Sequence, residues 1–283
     1  MLLIADSGST KADWILINPD SAGDKVISEF RTAGLSPVYL SEKTILEILS
    51  SEMKLKDIVS SVNELKFFGT GCGNEEGKNR MTDILTKFFP SANVFVENDL
   101  MAAALATCGN EKGIVSILGT GSNCCYFDGI KIHVKNFGLG YILGDEAGGD
   151  YFGKNFLRAY LYDQLPQHLY ESFYSEYHLT REAVIEAVYR KPNANLFFSS
   201  FMPFFNSRKK DAWIKDFLER GIEDFFQSNV LSFPEAKTAG LHFVGSVAAE
   251  LEDIIREKGR AKNLSIGKII KQPKEGLIEY YVR

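Results

Sequence analysis

"LLIADSGSTKADWILI", residues 2–17, sets two apolar runs on either side of a polar turn holding Asp6, Ser7, Gly8, Ser9, Thr10 and Lys11. Short runs rich in Leu, Ile and Trp read as strands, and the Gly/Ser/Thr tip between them reads as a hairpin turn. The arrangement returns at residues 113–129, "GIVSILGTGSNCCYFDG", with a tip of Gly119, Thr120, Gly121 and Ser122 and a further turn at Asp128-Gly129. A tight turn with local hydroxyls accounts for one such tip. Two matched copies imply an internal duplication in which each half offers one polar tip. Because glycine has no Cβ, successive N–H groups at either tip can turn inward and form an anion nest.

The rest of the chain fits a duplicated layer of strands and helices. "KVISEFRTAG" reads as a third strand ending at Gly34. Between Ser41 and Met53, the residues Ile45, Leu46, Ile48 and Leu49 share one helical face, with Ser41 as the cap. "LKFFGTGCG" is a buried strand running into glycines, and "NRMTDILTKFF" is a helix closed off by Pro90. "NVFVEND" is a strand, followed by the alanine-rich helix "NDLMAAALATCGN" that stops at Gly109. This order describes a mixed α/β layer. From Tyr151 to about Pro234 the chain turns helical and aromatic, and Phe197, Phe198, Phe201, Phe204 and Phe205 recur at the spacing of a core or subunit-contact stripe. "LHFVGSVAAELEDIIREKG" returns to strand, glycine turn and helix, with Ser246 at the N-cap and Gly259 at the stop. The expected division is residues 1–106 and 107–283, with a helical insertion over about 151–235 in the second domain.

Composition narrows the partners. With 283 residues the chain exceeds a single core of ordinary size, so two domains are expected. A net charge of −5 argues against a chain that wraps nucleic acid, which needs a lysine- and arginine-rich surface. No apolar run approaches the roughly 18 residues that span a bilayer, and the apolar start Met1–Ala5 is too short for a signal peptide. The cytoplasm is the expected compartment. Cys72, Cys108, Cys124 and Cys125 form no C-x-x-C pair and read as small, half-buried thiols in a reducing medium.

Neither tip carries a common nucleotide fingerprint. Around Lys11 the order S-G-S-T-K-A lacks the spacing and the following hydroxyl of a P-loop. Gly119-Thr120-Gly121 is followed by Ser122-Asn123-Cys124, so the third glycine of a dinucleotide turn is missing, and no helix follows either tip.

Five segments in order carry a resemblance: "ADSGSTKADWILI", "VENDLMAAALA", "ILGTGSN", "GYILGDE" and "FVGSVAAEL". They resemble the phosphate-1, catalytic-aspartate, phosphate-2, sugar-side and adenosine segments of the actin-like ATPase superfamily of sugar kinases, Hsp70 and actin. Within it they are most similar to the BadF/BadG/BcrA/BcrD-type ATPases, which include N-acetylglucosamine kinases. The resemblance implies two duplicated RNase H-like domains with mixed five-stranded sheets. It implies ATP and Mg²⁺ as cofactors and a small sugar as substrate, and it allows a homodimer.

The resemblance assigns roles residue by residue. Asp6 would position Mg²⁺ through water, against its reading as a turn aspartate. Gly8, Ser9, Thr10 and Lys11 would cradle phosphate, though Lys11 also reads as an exposed lysine after a turn. Asp99 would accept the proton of the attacking sugar hydroxyl. It also fits as a helix cap, unless Asn98 takes that place. Gly119, Thr120, Gly121 and Ser122 would hold the β- and γ-phosphates, and Gly245 and Ser246 would lie near the adenosine, or simply make a strand-to-helix turn. Ser36, Gly71, Gly138 and Asp145 fall on the acceptor side, where Asp145 and Glu146 also read as a solvated turn.

Two departures from the family pattern lie on that acceptor side. Ser36 stands where relatives carry an asparagine, and Gly144-Asp145-Glu146-Ala147-Gly148 replaces the usual G-D-E-G-S. The expected activity is transfer of the γ-phosphate of ATP to N-acetylglucosamine or a related amino sugar. A BadF/BadG-type ATPase that drives a partner protein is the alternative, as is a non-catalytic sugar or nucleotide sensor. The ATPase activators hold an iron–sulfur cluster with cysteines beyond the second phosphate segment, and no cysteine follows Cys125.

Overall fold

A computed structural model describes residues 1–283 apart from Ser9, residues 22–24, Phe137 and Arg283. The chain divides into two compact units, Met1–Asn110 with Pro273–Arg283, and Glu111–Gln272.

The first unit runs β1 (Leu2–Ser7), β2 (Lys11–Ile17), β3 (Val26–Ala33), α1 (Glu42–Ser51), α2 (Met53–Ile58), β4 (Glu64–Gly69), α3 (Glu75–Phe88), β5 (Asn93–Asn98) and α4 (Asp99–Cys108). Its sheet has the order β3-β2-β1-β4-β5. β1 lies antiparallel to β2, with Asp6 opposite Asp13, and parallel to β4. The alternation of β1 and β2 sends Leu3, Ala5, Ala12, Trp14 and Leu16 into the core with α1 and α3. It leaves Asp6 and Asp13 together on the other face.

Local chemistry sets the helix ends. The Ser41 side chain accepts from the Thr44 N–H at 3.1 Å, a cap contributing about 1 kcal/mol. α3 starts four residues before "NRMT", because the Asn74 side chain caps it by accepting from the Gly77 N–H. α2 was not legible: six residues are too few to show a helical period. α4 stops at Gly109, whose φ of 62° is left-handed.

The second unit repeats the plan. It contains β6 (Gly113–Leu118), β7 (Ser122–Phe127) and β8 (Ile132–His133), then α5 (Gly140–Leu143), α6 (Gly149–Leu161), α7 (Gln167–Tyr177), α8 (Arg181–Tyr189), α9 (Ala194–Ser199), α10 (Met202–Ser207) and α11 (Ala212–Ser228). It closes with β9 (Gly240–Val244), α12 (Ser246–Glu250), α13 (Glu252–Ala261) and β10 (Ile266–Ile270). The sheet order is β10-β9-β6-β7-β8, with β6 antiparallel to β7 and parallel to β9. Both units are thus mixed five-stranded sheets built around the strand that precedes the polar tip, and α5–α11 follow one another between β8 and β9.

The aromatic stripe is core. Phe198, Phe201, Phe204 and Phe205 are buried, and the Phe156 ring lies 4.9 Å from Phe205 and 5.0 Å from Phe173. Cys124 and Cys125 point to opposite faces of β7, yet both are buried, so the sheet is covered on both sides there. Two boundary expectations need correcting. Gly245, not Ser246, caps α12: at φ 127° it lets the Leu118 carbonyl approach closer than any Cβ would allow. Gly259 lies inside α13, where its missing side chain makes room for Ile266.

The last helix, α14 (Lys274–Val282), belongs to the first unit, where a division at 106/107 would leave it with the second. Gly276 sits against the Ala106 backbone in α4, and Lys274 pairs with Glu29 at 2.6 Å. A nine-residue helix with a single buried residue, Leu277, carries no mark of which core it joins.

Gly153 in α6 packs against the Phe198 carbonyl in α9 with no space for a methyl group. Gly153→Ala gains up to about 1 kcal/mol of helix propensity. It sets this against about 1–3 kcal/mol or more of overpacking on backbone that cannot swing aside. Urea unfolding is expected to show a net loss of about 2 kcal/mol.

Candidate active site

In the first unit the parallel strands β1, β4 and β5 end level with one another, Ser7 beside Gly69 and Gly69 beside Asn98. Loops at the carboxyl ends of parallel strands are where such sheets bind ligands. Asp6, the turn Thr70–Gly73 and Asp99 all arrive at this end. The Asp6 carboxyl is pushed up to about 7 by burial, with Asp99 and Asp13 adding repulsion and Lys11 opposing them. Burial raises Asp99 to about 6, against hydrogen bonds from its own and the Leu100 backbone N–H. Asn98 caps α4: its side chain accepts from the Leu100 N–H at 2.8 Å, a donor that Asp99 shares at 2.9 Å. The helix therefore does not need the Asp99 carboxylate. Cys72 nearby is no nucleophile, since burial holds its thiol up at about 12.

The first tip is more occupied than its sequence suggests. The Gly8 N–H donates to the Lys11 carbonyl at 2.9 Å, closing the hairpin. Lys11 lies 3.2 Å from Asp13, and Arg31 Nε lies 2.6 Å from the same carboxylate. Asp13, only 8% exposed, was missed by sequence reasoning. Its signal was a carboxylate on the strand face it shares with Lys11, Ile15 and Ile17. Thr10 is exposed and its carbonyl accepts from the Gly34 N–H at 3.0 Å, while Ser9 lies outside the described residues.

The acceptor loop is latched to β1. The Ser7 hydroxyl accepts from the Leu35 N–H at 2.8 Å, and Arg80 donates to the Pro37 carbonyl at 2.6 Å. Ser36 and Gly71 come together, but the Ser36 hydroxyl is enclosed without a partner at 3% exposure, under the left-handed turn at Gly71. It is not presented to solvent.

In the second unit the Gly119 N–H donates to the Gly121 carbonyl at 2.9 Å, and the Ser122 N–H donates to Asp145 at 3.3 Å. Among the described residues this leaves the Thr120 and Gly121 N–H groups without an acceptor. The start of α6 clasps the same tip: Gly149 N–H donates to the Gly119 carbonyl at 2.9 Å and Asp150 N–H to the Thr120 carbonyl at 2.8 Å. Asp145 sits directly over Gly121, where a Cβ would come within 2.6 Å of its carboxylate. Asp145 and Ala147 hold φ of 60° and 59°, left-handed conformations that cost a non-glycine residue about 1 kcal/mol or more each. Glu146 accepts from Asn229 at 3.2 Å, so it is anchored to the insertion and is not a solvated partner of Asp145. Gly138, at φ 56°, faces the Asn123 side chain. Gly245 packs under Leu118, next to the tip, and Ser246 is exposed at the start of α12.

Among the described residues no group of three or more His, Cys, Asp or Glu could hold a metal ion alone. Mg²⁺ asks for less, commonly one or two carboxylates with phosphate and water completing its shell. Asp6 fits that part. It is a hard oxygen donor with the carboxylates of Asp99 and Asp13 nearby, and Lys11, the cation opposing it, is drawn towards Asp13.

No protein-family model and no curated protein sequence matches the chain. Solved structures do. A protein of Porphyromonas gingivalis, described as a putative N-acetylglucosamine kinase, is 36% identical over 100% of this chain and 99% of its own, with a TM-score of 0.93. One of the same description from Chromobacterium violaceum is 16% identical over 99% and 98% of the two chains, at a TM-score of 0.73. A ROK family glucokinase of Streptomyces griseus, solved with glucose and AMPPNP, is 14% identical over 99% of this chain and 97% of its own, at 0.56. The latter two establish the fold, that of the two-domain actin-like sugar kinases. At 36% identity over its whole length, the chain belongs to the same family as the Porphyromonas gingivalis protein.

Proposed function

We propose that the chain is an ATP-dependent sugar kinase, transferring the γ-phosphate of ATP to a hydroxyl of N-acetylglucosamine or a related amino sugar. The observation that carries this reading is Asp99, a carboxylate at the first position of α4 that its neighbour Asn98 relieves of capping. With its carboxyl raised to about 6, Asp99 is a stronger base than an ordinary aspartate and is still ionised at neutral pH. It would accept the proton of the sugar hydroxyl as that oxygen attacks. The full-length family relative from Porphyromonas gingivalis supports the substrate class. The five ordered motifs support placement among the BadF/BadG/BcrA/BcrD-type ATPases.

The remaining residues do the positioning and neutralisation on which phosphoryl transfer depends. The free Thr120 and Gly121 N–H groups, with the Thr120 and Ser122 hydroxyls, would donate to the β- and γ-phosphate oxygens. Gly245 and Ser246 would border the adenosine. Asp6 would hold Mg²⁺ through water, and the metal's contribution there is to offset charge on the phosphate oxygens. Lys11 would add to this only by loosening its pair with Asp13. Asp145, held over Gly121, would accept from a sugar hydroxyl, with Gly138 at the same side and Ser36 acting through the fold of its loop.

A coupled ATP-consumption assay with Mg²⁺ over hexoses, hexosamines and N-acetylhexosamines is expected to give the highest turnover with N-acetylglucosamine. Turnover of no sugar would overturn the reading. Asp99→Asn is expected to lower kcat by about 10²–10⁴. The melting temperature should hardly move, because Asn98 keeps the cap. The wild-type rate should fall as pH drops through about 6, where Asp99 takes up a proton, and this limb should vanish with the base. Gly121→Ala drives a methyl group into the Asp145 carboxylate, and the KM for the sugar should rise by about tenfold or more.

A further inference from the structure

Asp150, in the first turn of α6, is 1% exposed, and neither of its carboxylate oxygens has a hydrogen-bond partner. A buried ionised carboxylate without donors is among the costliest groups a fold can contain. An acidic residue near a helix start often serves the helix by capping it or facing its dipole. Asp150 makes no capping bond, and α6 has no side-chain cap at all.

Its surroundings explain it better. The backbone under the side chain is fixed to the hairpin tip through the bond from Asp150 N–H to the Thr120 carbonyl. The group its carboxyl meets is that of Asp145, which accepts from the Ser122 N–H at a long 3.3 Å and sits on a strained backbone. Two carboxylates that meet out of water cannot both ionise cheaply. One proton held between them satisfies the orphaned oxygens of the first and anchors the second.

We propose that Asp150 is a positioning residue for Asp145: its carboxyl O–H donates to the Asp145 carboxylate and holds it against Gly121 and Ser122. Asp145 then keeps a lone pair for a ligand hydroxyl, in an orientation that its own loop does not secure. The significance for substrate rests on the sugar-kinase reading above; the hydrogen bond itself does not.

The proton is retained at neutral pH. Burial and the neighbouring Asp145 push the Asp150 carboxyl up to about 8. The Tyr151 N–H and the Lys154 ammonium oppose this weakly, and Lys154 is itself engaged by the Tyr141 carbonyl. Glu146 adds negative charge beside Asp145, and Ser199 of α9 and Met202 of α10, both uncharged, pack against this turn at Gly149. Above about pH 8 the second charge appears, the two carboxylates repel, and Asp145 loses its anchor.

Infrared difference spectroscopy of the ligand-free protein tests the bond. At pH 7 the wild type should show a protonated-carboxyl C=O band that Asp150→Asn removes and Asp145→Asn shifts. Absence of a band assignable to Asp150 would overturn the proposal whether or not any sugar is phosphorylated. Kinetics test the positioning. Asp150→Ala should raise the sugar KM by about tenfold or more, while Asp150→Asn, whose amide still donates, should restore it to within about threefold. Wild-type kcat/KM for the sugar should fall above about pH 8, and Asp150→Asn should lack that fall. An unchanged sugar KM in Asp150→Ala, or the same alkaline limb in Asp150→Asn, would refute it. A protein that shows the band but phosphorylates no sugar would instead remove the kinase reading and leave the hydrogen bond standing.

Discussion

Each sheet is organised by a central strand, β1 or β6, hydrogen-bonded along both edges, antiparallel to the next strand on one side and parallel to a later strand on the other. A strand paired on both sides cannot slide without breaking two ladders at once, and a slip of one residue would turn every side chain to the wrong face. The polar tip follows immediately, so its place is fixed by the same ladders. The parallel neighbours then deliver their own carboxyl ends, with their glycine turns and helix starts, to that level. Asp6, Gly71 and Asp99 meet in one unit for this reason, and Gly119–Ser122 and Gly245 in the other.

Charge is distributed unevenly over these ends. The first unit gathers Asp6, Asp13 and Asp99, with Lys11 and Arg31 both drawn to Asp13. The excess is negative, which adds to burial in making Asp6 resist ionisation and is why a divalent cation would be welcome there. The second unit presents unpaired N–H groups at its tip, suited to an anion, but backs them with the half-buried Asp145 and the buried Asp150. The shared proton proposed for that pair keeps a second negative charge away from a tip that would bind phosphate.

Much of this was legible in residue order. The duplication was visible because hydrophobic alternation and a glycine tip occur twice with the same spacing. Asn98 and Asp99 could be seen as competitors for one cap, since both are good caps next to the same apolar run. Short or context-dependent features were not legible. α2 is too brief for a period, Ser246 and Gly259 look like punctuation although Gly245 and tertiary packing do the work, and the α14 pattern does not name its partner core.

The sequence by itself determined the two α/β halves, the two polar tips and the identity of the carboxylate at the start of α4, because strand alternation, helix period and capping are properties of neighbouring residues. Only the tertiary structure decided which of the tip's N–H groups stay free, that Lys11 is drawn to Asp13, that the Ser36 hydroxyl is enclosed, and that the Asp150 carboxyl is buried without a partner. Those outcomes depend on which groups, some neighbours and some far apart in the chain, compete in space for one donor or one charge, and residue order holds no record of that competition.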